Sequence, residues 1–191
     1  MEISRKWFIA IALALSLLRS KTALSHELPA NRATLVLRDQ THLSLTLYID
    51  YIETLHRALA PNKSARDFLL ITSALTPQEF QQQLQRAQAK LDAETRATLN
   101  GASTVTIAGW VWPEPAKIQS LIQQQVMAAM VGAGEHSHAA PIEIRANITH
   151  TKPISEATIQ FAEAFGKMLV VWYRPKQTWV APKQLSPVMK F

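Results

Sequence analysis

Residues 33–50, ATLVLRDQTHLSLTLYID, alternate between apolar and polar positions more regularly than any other stretch of the chain. Leu35 and Leu37 alternate with Thr34, Val36 and Arg38; Leu43, Leu45, Leu47 and Ile49 alternate with Ser44, Thr46, Tyr48 and Asp50. A period of two sends successive side chains to opposite faces, so the leucines predict one buried sheet face. The polar RDQT between the runs suits a tight turn and makes the pair a hairpin. The period then lengthens. Ile52, Leu55 and Leu59 are spaced for a helix that stops at Pro61, and Ser64 with Asp67 opens a short helix through SARDFLLITSAL. TPQE at 76–79 is a helix start, with Thr76 as N-cap, Pro77 in the first helical position and Glu79 closing a capping box. Along FQQQLQRAQAKLDAE the residues Phe80, Leu84, Ala87 and Leu91 form one narrow apolar stripe, which leaves the glutamines for water.

Strands return at TRATLNGASTVTIAGWVWP, where Asn100-Gly101 favours a hairpin turn because both central positions of such a turn need positive φ. Pro113 and Pro115 end that strand. PAKIQSLIQQQVMAAMVG predicts a further amphipathic helix with Ile118, Leu121, Ile122, Val126 and Met130 inward, stopped by Gly132 and Gly134. EHSHAAP reads as a loop, and IEIRANIT as a strand burying Ile142, Ile144, Ala146 and Ile148. TIQFAEAFGKMLVVWYRP predicts a last hairpin turning near Ala164–Lys167, followed by an extended C-terminal tail. Hairpins separated by helices, with no βαβα alternation, predict an α+β fold: an antiparallel sheet or β-sandwich with amphipathic helices inserted between the hairpins.

The N-terminus changes the picture of where this domain works. Arg5 and Lys6 precede an uncharged run from Trp7 to Leu18, and Ala23 and Ser25 stand at small-residue positions before a cut. Residues 1–25 therefore read as a secretory signal, with an uncut N-terminal anchor as the alternative. The run is shorter than the roughly 20 apolar residues that span a bilayer, and no later stretch predicts a transmembrane helix. Residues 26–191 form a single exported domain on this division, placed in the periplasm or secreted. The segment 1–25 carries Arg5, Lys6, Arg19 and Lys21 against Glu2, so half of the formal +6 charge belongs to it. What remains is only mildly basic and has no basic run, which gives no reason to expect a nucleic-acid partner. The absence of cysteine excludes thiol catalysis and thiolate metal sites and leaves stability to packing. The five glycines form neither GxGxxG nor GxxxxGK, so no phosphate-cradling loop is present.

Few residues carry candidate chemistry. A cut after Ser25 makes His26 the first residue, and its α-amine with its imidazole can chelate Cu(II) or Ni(II), completed by His136 or His138 of the HSH loop. Solvated histidines at a terminus and in a loop are the plainer account. Glu53 and His56 have the Glu-x-x-His spacing of di-iron bundles, but no second copy exists, so they are expected to be surface neighbours one turn apart. No G-x-S-x-G elbow is present, and Asp50 with His56 lacks a placed nucleophile. Trp110 and Trp112 share a strand face; the pair either seals the edge of the core or forms a platform for sugar rings or an interface.

SHELPANRATLVLRD, with His26, Glu27, Pro29, Leu35, Leu37 and Arg38, resembles the start of the exported domain that precedes the membrane helices in HupE/UreJ-type proteins. The resemblance implies a β-sandwich, a periplasmic location and an association with nickel handling. It covers only the start of the mature chain, and the multi-helix membrane half of that family has no counterpart here. The expectation from the whole sequence is a non-catalytic periplasmic binding or accessory module, not an enzyme and without a cofactor, that contacts a partner protein of the periplasm or inner membrane, or a membrane component. The alternative is a copper- or nickel-binding protein using His26, His136 and His138.

Overall fold

The computed structural model describes residues 31–101, 103–131, 140–175 and 182. They form an α+β fold, with strands β1 (Arg32–Leu37), β2 (His42–Ile49), β3 (Arg96–Leu99), β4 (Ser103–Val105), β5 (Ala108–Val111), β6 (Ile142–Thr149), β7 (Ala157–Gln160) and β8 (Leu169–Tyr173). Helices α1 (Tyr51–Leu59), α2 (Ala65–Ser73) and α3 (Pro77–Glu94) lie between β2 and β3, and α4 (Pro115–Met130) lies between β5 and β6. The strands make a five-stranded sheet in the order β5-β6-β2-β1-β8 and a three-stranded sheet in the order β4-β3-β7. Neither closes into a barrel. Antiparallel pairing dominates, and among the described residues only β1 with β8 is parallel.

The leucine alternation sets the inner face. Leu35, Leu43, Leu45, Leu47 and Ile49 are buried, joined across the β2–β6 register by Ile144, Ala146 and Ile148. Their polar alternates face the other way: Thr34, Thr46 and Arg145 stand in one cross-strand row. The β1–β2 turn forms as its residues predict. Asp39 Oδ1 accepts from the Thr41 backbone N–H (2.7 Å) and hydroxyl (3.0 Å), which holds the Asp39 carboxyl below its usual range.

The first three helix starts are capped by side chains. Asp50 Oδ1 accepts from Glu53 N at α1, and Ser64 Oγ from Asp67 N at α2. Thr76 and Glu79 complete the capping box of α3, and hydrogen bonds from Thr76 hold the Glu79 carboxyl below its usual range. The buried residues of α3 are Phe80, Leu84, Ala87 and Leu91, the stripe expected from spacing. In α4, Ile118, Ile122 and Val126 are buried, but Met130 is 68% exposed and Leu121 only half-buried. Gln119 is buried there instead, since its Nε2 donates to the Leu75 carbonyl (2.9 Å). The last turn of α4 thus runs past the core, which corrects the inward placement of Met130.

Two further expectations change. Asn100 and Gly101 take positive φ, as a turn requires, but Leu99 pairs with Ser103, so residues 100–102 connect β3 to β4 rather than a two-residue turn. The last hairpin does not form: β7 pairs with β3, and β8 crosses to the larger sheet to lie parallel to β1. Ala162, Ala164 and Phe165 are buried in a 3₁₀ turn (Glu163–Phe165) between them, and a surface hairpin turn would leave those groups in water. Gly166 follows at φ 66, where a Cβ would run into the Arg57 guanidinium.

Asn31 fixes the crossing. Its Nδ2 donates to Phe165 O (2.6 Å), its Oδ1 accepts from Asp50 N (2.9 Å), and its backbone carbonyl accepts from Leu169 N (2.9 Å). One side chain therefore ties the entry of β8 to the start of α1.

Leu47→Ala on the inner face should lower unfolding stability by about 2–5 kcal/mol. Thr46→Ala on the outer face of the same strand should cost under about 1 kcal/mol. Urea unfolding of the two variants measures both, and equal losses would contradict the assigned faces.

Candidate functional site

Two surfaces stand out. The first is a groove between α3 and α4. Gln81, Gln85 and Gln88 are spaced i, i+4 and i+7 on α3, so they stack along the flank beside its buried stripe. Gln85 and Gln88 border a hollow with Trp112–Pro115, and Gln81 borders a second one with Gln119, Ser120 and Gln123 of α4. Two adjoining hollows, of about 190 and 410 Å³, share Gln81, Glu114 and Pro115. Glu114 occupies the N-cap position of α4 but makes no side-chain capping bond, so its carboxylate stays available at the groove.

Trp112 walls the narrower end. Trp110, in β5, stacks against it with ring centroids 4.9 Å apart and planes 14° apart. Trp110 is itself held by its Nε1, which donates to Asp92 Oδ1 (2.7 Å). The Tyr51 ring lies 6.4 Å from that of Trp112, and Tyr51 OH accepts from Gln88 Nε2 (3.3 Å). Burial pushes the Tyr51 hydroxyl up to about 12. Both tryptophans are half-buried against the core, as the edge-sealing reading expects, while Trp112 also borders the groove.

The second surface is the edge at β8, whose sequence LVVWY carries no charge. Leu169 N donates to Asn31 O at the start of the β1 ladder, and in a parallel ladder a residue sends its N–H and C=O to the same side. Val170 and Trp172 therefore turn theirs to the side that no strand among the described residues covers. Trp172 is 45% and Tyr173 55% exposed. The opposite edge, β5, is broken by one extra residue between Ala108 and Val111, with Gly109 at positive φ, and presents no regular ladder.

The histidines give no assembled site within the described residues. His26, His136 and His138, the candidate copper or nickel ligands, lie outside them, as do the N-terminal signal, Trp179 and most of the C-terminal tail. Each remaining histidine has its own local partner. His42 Nε2 lies 3.2 Å from Asn147 Oδ1, His56 Nε2 2.8 Å from Lys63 O, and His150 Nδ1 2.9 Å from Lys152 O. Glu53 and His56 are neighbours at 3.6 Å on α1, and Asp50 is occupied as its N-cap, so neither pairing builds a reaction centre. Among the described residues no group of three His, Asp or Glu side chains is placed to hold a metal ion, and no helix is long and apolar enough to cross a membrane.

No family model matches the chain, and neither do any of the curated proteins or solved structures compared with it. The HupE/UreJ resemblance therefore remains a likeness of one short segment.

Spacing alone marked Trp110 and Trp112 but not the groove. The glutamines of α3 read as solvent-facing, and only the folded arrangement shows that they border hollows shared with Trp112, Glu114 and the first turns of α4. The burial of Tyr51 gives a pH test. Its hydroxyl titrates higher in the folded protein than its ordinary value of 10.0, so folding favours the protonated form, and that stability is lost as pH rises from 10 to about 12. Chemical denaturation across this range should show a shallower alkaline loss for Tyr51→Phe than for the unaltered protein; parallel curves would contradict the burial.

Proposed function

We propose that the protein is a non-catalytic accessory module of the periplasm that holds a partner protein by strand addition at β8. The observation that carries this reading is the uncharged edge of the larger sheet. Outward backbone groups at Val170 and Trp172 offer hydrogen bonds, while exposed Leu169, Trp172 and Tyr173 offer apolar contact. A partner strand would satisfy the ladder and cover those side chains together. The charged n-region, uncharged run and small residues of 1–25 support export. The dispersal of His42, His56 and His150, each on a local contact, favours binding over catalysis.

The full chain, mixed with a detergent-solubilised envelope fraction and cross-linked, should capture a discrete envelope protein. Val170→Pro removes an outward N–H while leaving the bonds to β1, and Trp172→Lys places charge on the edge. Both should abolish capture with the thermal midpoint preserved. Capture of nothing by the unaltered chain, or capture by either variant equal to that of the unaltered chain, would contradict the proposal.

A further inference from the structure

We infer that the groove between α3 and α4 is a binding site for a neutral carbohydrate chain, separate from the β8 edge. The inference rests on the chemistry of its walls. A sugar ring presents a face of C–H groups and a rim of hydroxyls, each of which both donates and accepts. Trp112 supplies an aromatic surface for the first, backed by Trp110 and so held in one orientation. Carboxamides supply the second, because each glutamine carries an acceptor oxygen and two amide donors on one planar group.

Part of this polar set is already oriented. Gln88 Nε2 is bonded to Tyr51 OH, and Gln119 Nε2 to the Leu75 carbonyl. Their Oε1 atoms remain as acceptors whose side chains pay little further ordering entropy on binding. Gln85 and Gln123 are exposed and adaptable. Glu114, uncommitted at the N-cap of α4, can accept from two adjacent hydroxyls at once.

Charge selects among ligands. No lysine or arginine lines either hollow, and the one ionised side chain there is Glu114. A phosphate, sulfate or uronate would meet a carboxylate with no cation to offset it, so the geometry favours an uncharged glycan. The larger hollow, about 410 Å³, lies within the roughly 300–1,000 Å³ of ordinary small-ligand sites, and the one that Trp112 lines, about 190 Å³, is a smaller extension of it. Its continuation past Glu114 to Trp112 lets a chain of linked sugars run along the groove, one ring against the indole.

Isothermal titration calorimetry of the full chain with maltohexaose, cellohexaose and chitohexaose tests this, with dextran sulfate as the anionic comparison. At least one neutral hexasaccharide should bind in the micromolar to low millimolar range, with no heat from dextran sulfate. Trp112→Ala should abolish that binding. Because Trp112 also touches Tyr51 and Trp110, Gln85→Leu and Gln123→Leu on the exposed helix flanks provide variants with no folding role. Each should weaken binding by about two- to tenfold, the worth of one hydrogen bond. Val170→Pro should leave saccharide affinity unchanged, so failure at the β8 edge is told apart from failure here. No heat from any neutral sugar up to about 10 mM, an affinity of roughly 3 kcal/mol or less, would overturn the inference. So would binding unaltered in Trp112→Ala and both glutamine variants, or tighter binding of dextran sulfate.

Discussion

Leu43, Leu45, Leu47 and Ile49 occupy the central strand of the larger sheet, and all of them leave water on the same side. Burying each is worth about 1.5–3 kcal/mol relative to exposure, and none can be buried without a second layer over that face. The rest of the chain answers this requirement. β1 and β6 extend the same face through Leu35, Ile144, Ala146 and Ile148. The helices cover it with stripes no wider than they need, and the smaller sheet adds Ala97 and Leu99 to the same core. A register slip of one residue in β2 would turn the whole set outward, so the alternation specifies pairing as well as burial.

The narrowness of the helix stripes has a consequence for binding. α3 buries Phe80, Leu84, Ala87 and Leu91, and α4 buries Ile118, Ile122 and Val126. Beside the buried stripes, glutamines of both helices line two adjoining hollows that meet at Gln81, Glu114 and Pro115. The groove is thus a by-product of covering the sheet with amphipathic helices, and its chemistry comes from residues that the core does not require. The β8 edge has a different origin. Burial of Phe165 and the three bonds made by Asn31 deliver β8 to β1 in parallel, which leaves its far side as the end of the sheet among the described residues.

Local signals were legible in the sequence and long-range pairings were not. The hairpin at Asp39, the caps at Ser64 and Thr76 and the inner faces of β2 and α3 all follow from residues within a few positions of one another. The α+β class followed from the order of those elements. The parallel placement of β8 depends on Asn31, Asp50 and Phe165 meeting across the fold, and no periodicity announces that. Met130 continues the apolar spacing of α4, yet the core ends a turn earlier, so spacing gave the wrong side. The groove was hidden for the same reason: Gln85 and Gln123 are ordinary surface glutamines until the two helices are set side by side. The candidate ligands His26, His136 and His138 rest on sequence alone.

Native-state hydrogen exchange tests most directly the claim that the inner face of the central strands holds the molecule together. Amides of Leu43–Ile49 should be among the slowest to exchange and should report the same free energy as global unfolding, with α2 opening at lower cost. Exchange of those amides as fast as that of the Lys63 loop, while α3 or α4 stays protected, would contradict the account.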